Sequence, residues 1–175
     1  MIAVERESRD DGALDAGLYS LVLAVEGSPE PTVGALGVRT FDAPAYVYVG
    51  SARGPGGFAR IARHRELARG ERDVRRWHVD HLLGAPETTV AAVVRSADGE
   101  ECVVAARHRS PVGDAAAGEP VTGFGASDCG CDAHLYGFTE LDDAVETAAA
   151  AHRATEGPWD AAWCNSYQDR TPPCR

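Results

Sequence analysis

No lysine occurs in this 175-residue sequence; all 17 cationic side chains are arginine. Without a lysine after it, Gly54-Pro55-Gly56-Gly57 is a poor fit to a nucleotide-triphosphate loop. Positive charge is scarce overall. The formal net charge is −10, which argues against a protein that coats DNA generically, because non-specific affinity comes from neutralising phosphates. Excess carboxylate without lysine fits a high-salt cytoplasm and predicts loss of structure on dilution from molar salt. Long apolar runs are missing too. None approaches the roughly 20 residues of a membrane span, and Met1-Ile2-Ala3-Val4-Glu5-Arg6 lacks the apolar segment of a secretory leader. The five cysteines are odd in number and their spacing does not suggest a disulfide scaffold. The expected setting is a reducing cytoplasm.

What positive charge there is lies close together. Arg53 to Arg76 holds eight arginines against Glu66, Glu71 and Asp73, a local balance of +5. Such a stripe on an acidic chain points to a local anion site, or to a solvated helix face with Arg–Glu pairs.

Residues 1–13 are polar and read as a flexible arm. Gly17–Val25 and Tyr46–Ser51 read as strands, with a weaker strand over Thr32–Phe41. Tight loops between them imply antiparallel pairing. Gly54–Gly57 stops the second strong strand. A helix is expected from Phe58 to Ala68, with Arg60, His64 and Leu67 on one stripe and Phe58, Ile61 and Ala62 toward the sheet. A second helix is expected over Val74–Leu83, a strand over Thr88–Val94, and a third helix from Asp98, its cap, to Ala106. Ser110–Cys131 lacks a period and reads as a long loop. Leu135–Phe138 is a last strand and Glu140–His152 a helix. The tail from Glu156 carries Trp159, Trp163 and Tyr167, which could dock on the body or on a partner. The expected fold is α+β, a small, mainly antiparallel sheet flanked by helices. It spans residues 14–139, with residues 140–175 as a C-terminal helix and tail.

Taken singly, the candidate functional residues have bland readings. Tyr19 and Tyr48 suit strands. Arg60 suits a helix surface. Glu101 suits the third helical position of a capping box opened by Asp98. Taken together, Gly17-Leu18-Tyr19, Tyr48-Val49-Gly50, Arg60-Ile61, His64 and Glu101 resemble the GIY-YIG nuclease superfamily over about residues 17–110. Trp77-His78-Val79-Asp80, Glu101-Cys102 and the Gly123–Leu135 stretch resemble more closely a largely archaeal branch of it. Members of that branch are sometimes fused to endonuclease III-type glycosylases. This closer match runs to about Phe138; residues 1–13 and 140–175 lie outside it. The sequence departs from the pattern in a longer spacing between the two motifs, in Leu18 and Val49 for isoleucines, and in Ser51 where many members carry lysine.

The resemblance implies a metal-dependent endonuclease acting on DNA in repair, with a repair protein as partner. Glu101 would be the protein ligand of Mg²⁺ or Mn²⁺, which keeps its remaining waters. Arg60 would fork onto the scissile phosphate. Tyr19 or Tyr48 would orient or deprotonate the attacking water, with His64 sharing the proton traffic or holding its neighbours. Ser51, Arg53, Arg63 and His78 would line the substrate path. The competing readings are a non-catalytic nucleic-acid or protein-interaction module and a cysteine-centred zinc or redox protein.

Cys129, Cys131 and His134, with Cys102 from the third helix, form a second constellation. Its residue types suit structural zinc. Buried small cysteines or a reactive thiol pair fit the same pattern. His78 and His81 fall near one another on the second helix, with Asp80 off to the side.

Overall fold

The computed structural model describes residues 4–9 and 14–164. Seven strands form one sheet: β1 (Val4–Arg9), β2 (Leu18–Val25), β3 (Ala45–Ser51), β4 (Thr88–Ser96), β5 (Glu119–Pro120), β6 (Leu135–Phe138) and β7 (Trp159–Cys164). Their order is β1-β7-β4-β2-β3-β6-β5, and every pairing is antiparallel. Four α-helices accompany them: α1 (Ala59–Ala68), α2 (His78–Leu83), α3 (Glu101–Arg107) and α4 (Leu141–Arg153). The expected α+β fold is the observed one.

The central strands read as continuous apolar runs because both sheet faces are covered. All eight residues of β2 are buried. Alternate residues divide between two cores, as the period of a strand requires. Tyr19, Leu21 and Leu23 join Tyr46 and Tyr48 of β3 in a core with Ile61 and Leu67 of α1 and Val79, Leu82 and Leu83 of α2. Leu18 and Val22 join Val47 and Val49 in the opposite core with Val104 of α3 and Ala144 and Ala148 of α4. Helices on both faces therefore hold β2 and β3 at the centre.

Several elements differ from expectation. Val4–Arg9, read as part of a flexible arm, is an edge strand paired with β7 along its length. The tail from Trp159 to Cys164 inserts between β1 and β4; Tyr167 lies outside the described residues. Thr32–Phe41 is not a strand. It has one bridge, Thr32 to Val38, around a short 3₁₀ turn at Gly34–Leu36. Val33 and Phe41 are fully buried there, so apolar content mimicked a strand without the pairing. The second helix begins at His78, and Val74 is exposed. The third helix is capped at Glu100, with no side-chain capping bond, instead of at Asp98. The buried stripe of α1 is Ile61, His64 and Leu67, while Ala62 faces out.

Candidate functional site

The two tyrosines face the same side of adjacent strands. Tyr19 pairs with Gly50, and Leu21 with Tyr48, which leaves the two rings 6.3 Å apart between centroids. Only glycine fits opposite Tyr19. A Cβ on Gly50 would sit 2.6 Å from both the ring Cζ and the phenol oxygen. The glycine of Tyr48-Val49-Gly50 is thus the space into which Tyr19 lies.

α1 brings His64 over these rings. Its Nε2 is 2.8 Å from the Tyr19 oxygen, and its ring is in edge contact with Tyr48. Its Nδ1 lies 3.4 Å from Asp80 Oδ1. A carboxylate at Nδ1 favours the tautomer with its proton there, so that Nε2 accepts from the phenol. Burial lowers the His64 pKa, and the neighbouring Asp80 carboxylate opposes this only in part. The imidazole is therefore neutral at neutral pH.

Asp80 is completely buried. Burial alone would raise its pKa. The His64 ring 3.4 Å away, and hydrogen bonds from Arg63 and from the N–H groups of Arg76 and Trp77, outweigh it and hold the carboxyl well below its usual range. Sequence reasoning grouped Asp80 with His78 and His81 and placed it off to their side on the helix. In the fold it ties α2 to α1. The one local signal was an acid three residues after Trp77, at a position that bonds back to the helix start.

Arg60 donates to the Ser51 carbonyl at 2.8 Å and stacks over Trp77, as does Arg63, at 4.6 and 4.4 Å. The Arg60 charge lowers the pKa of both phenols. Glu101, the first residue of α3, raises both. Burial dominates for each, so both hydroxyls stay protonated well above neutral pH. Four elements, β2, β3, α1 and α3, thus supply Tyr19, Tyr48, Arg60, His64 and Glu101, and the two phenols are the groups on which the other three act.

The expected lining residues fare differently. Arg53 is exposed and donates to the Gly99 carbonyl at 2.7 Å, pinning the turn before α3. Arg63 is committed to Asp80 and is only 15% exposed in its side chain, so it holds the site together instead of lining it. His78 Nδ1 accepts from the Gly125 N–H at 2.9 Å and packs on Phe124. Ser51 contributes its carbonyl to Arg60.

Beside these residues lies the Cys/His cluster. The ligand atoms of Cys102, Cys129, Cys131 and His134 all lie within 4.8 Å of one another. This group could hold a metal ion. Tetrahedral ligation with Zn–S near 2.3 Å puts sulfurs about 3.8 Å apart, so the donors need little movement once reduced. Here Cys102 and Cys131 are bonded as a disulfide and Cys129 is a free, exposed thiol. His134 is buried, with Nε2 at 3.5 Å from Cys129 Sγ and 3.7 Å from Cys102 Sγ. Its Nδ1 is 3.1 Å from Glu101 Oε1.

A sequence family described as Domain of unknown function DUF123 matches over residues 18–157. No curated protein and no solved structure matches the chain.

Proposed function

We propose a function for this chain, which belongs to the DUF123 family, on the strength of its site: a metal-dependent endonuclease that hydrolyses DNA phosphodiester bonds, of the GIY-YIG type its motifs resemble. One observation carries the reading. His64 bonds Tyr19, the Tyr19 and Tyr48 rings lie 6.3 Å apart, and the charges of Arg60 and Glu101 act on both phenols, with the five residues drawn from four elements. The +5 segment from Arg53 to Arg76 supports it by supplying local anion attraction on an acidic chain.

Glu101 would hold Mg²⁺ or Mn²⁺; one Glu101 oxygen faces His134, and the side chain is 32% exposed. Bound there, a divalent ion would neutralise charge that builds on the phosphate oxygens. Arg60, already oriented by Ser51 and Trp77, forks onto the phosphate. Tyr48, protonated at neutral pH, donates to a phosphate oxygen. Tyr19 accepts a proton from the attacking water while passing its own to His64 Nε2. The resulting imidazolium is stabilised by Asp80, so the net proton acceptor is the histidine and not a phenolate. In the same reading the Cys102, Cys129, Cys131 and His134 group holds a structural zinc, since three thiolates and an imidazole are a soft, zinc-type donor set. DNA repair and a repair-protein partner remain part of the proposal through the family resemblance.

The test is a Mg²⁺/Mn²⁺ nicking assay on branched, flapped and damaged DNA at low and molar salt. Glu101→Ala and Arg60→Ala are each expected to lower cleavage by about a hundredfold or more, with unchanged circular dichroism. Full activity in either folded variant overturns the assignment.

A further inference from the structure

His134 connects the two constellations. Its Nδ1 faces Glu101 and its Nε2 faces two sulfurs. To bond the carboxylate, Nδ1 must carry the ring proton, and the Nε2 lone pair then points at the cysteine cluster. A metal-bound histidine whose other nitrogen donates to a carboxylate has this arrangement. Two further contacts make the connection rigid. Glu101 and Cys102 are consecutive at the start of α3, so a metal held by Cys102 also anchors the backbone that carries the acid. Gly125 packs between the clusters: a Cβ there would lie 3.0 Å from His134 Cβ and 3.3 Å from Tyr48 Cε2.

We propose that zinc, held by Cys102, Cys129, Cys131 and His134 in the reduced protein, positions Glu101 through His134, and that oxidation of Cys102 and Cys131 to their disulfide releases the zinc, leaving Glu101 with the His134 hydrogen bond but without the metal that fixes that ring. His134 is then a positioning residue and the cysteine pair a redox control on the acid. The zinc site stands on the four donors alone; its consequence for DNA cleavage rests on the nuclease reading.

The oxidant class is a hydroperoxide. One zinc-bound thiolate attacks hydrogen peroxide, the O–O bond breaks, and a sulfenic acid forms. The second thiolate displaces its oxygen as the S–S bond closes. Two electrons pass from the two sulfurs to peroxide, two solvent protons are taken up, and two waters leave. Zinc, left with Cys129 and His134 as its only protein ligands, dissociates.

Protein purified with thiol reductant and without chelator is expected to contain about one zinc per chain by elemental analysis. Cobalt in its place is expected to give thiolate charge-transfer and tetrahedral d–d bands. Cys129→Ser, at an exposed position, should lose the ion and keep the fold. Hydrogen peroxide should release one zinc for every two thiols lost. The readout of positioning is Mn²⁺ affinity by electron paramagnetic resonance. It should weaken about tenfold on oxidation, and equally in His134→Gln. Absence of zinc from the reduced protein, or Mn²⁺ binding indifferent to oxidation, overturns the proposal. Zinc coupled to Mn²⁺ binding, with no nicking of any DNA, upholds it and defeats the nuclease reading instead.

Discussion

Gly50 shows how closely single residues set this site. Its missing side chain is the volume occupied by the Tyr19 phenol, and the neighbour an added methyl would meet is a fully buried ring held by His64. The ring cannot swing away without breaking that bond or entering the packed core. Gly50→Ala is therefore expected to destabilise the fold by about 1–3 kcal/mol. In a thermal melt this reads as a drop of a few degrees. An unchanged melting temperature would mean that Tyr19 has another place to go. Sequence reading marked this glycine as the end of a motif; its steric role needed the partner strand.

At the scale of elements, α1 and α2 are joined by one buried carboxylate. Asp80 of α2 accepts two bonds from Arg63 of α1 at 3.1 and 2.6 Å, and lies beside His64. It also accepts from the N–H groups of Arg76 and Trp77, which closes the start of its own helix. Asp80→Asn keeps the shape and removes the charge opposite Arg63. Breaking a buried pair costs about 3–5 kcal/mol, visible as a lower urea midpoint. The His64 pKa should fall further, because Asp80 is the group that opposes burial there. Titration of the His64 ring by NMR in the variant checks the direction; a rise would refute the relay from Tyr19 to Asp80 that the nuclease proposal uses.

Across the whole molecule, two buried histidines tie stability to pH. His152 of α4 bridges Ser20 of β2 and Ser96 of β4, each at 2.8 Å. Burial, with the nearby His108 and Arg107 charges, depresses its pKa to about 3. His108, stacked on Tyr136, is lowered to about 4, mainly by burial. Both are neutral in the fold and protonate in the unfolded chain near the usual 6.5. Their contribution is complete above about pH 6.5 and is lost as pH falls toward 4 and then 3. At pH 4 each accounts for about 3 kcal/mol of lost stability. Denaturant unfolding at pH 7, 5.5 and 4 should show that decline, and His152→Gln should flatten it. Among the described residues no helix is long and apolar enough to cross a membrane.

The amino-acid order alone determined the α+β class, the two strong strands that carry Tyr19 and Tyr48, the arginine helix after the glycine turn, and the identity of the four clustered metal-type ligands. These are local features: periodicity, glycine punctuation and donor chemistry are readable within a few residues. Only the tertiary structure decided that Val4–Arg9 and Trp159–Cys164 complete the sheet, that Val33 and Phe41 are buried without a strand, and that Asp80 meets His64 across 16 residues of chain. It also decided that His134 meets Glu101 across 33. A local pattern encodes which face of an element is apolar. Which distant side chains then come within bonding distance depends on how the elements pack, and no short window of sequence contains that.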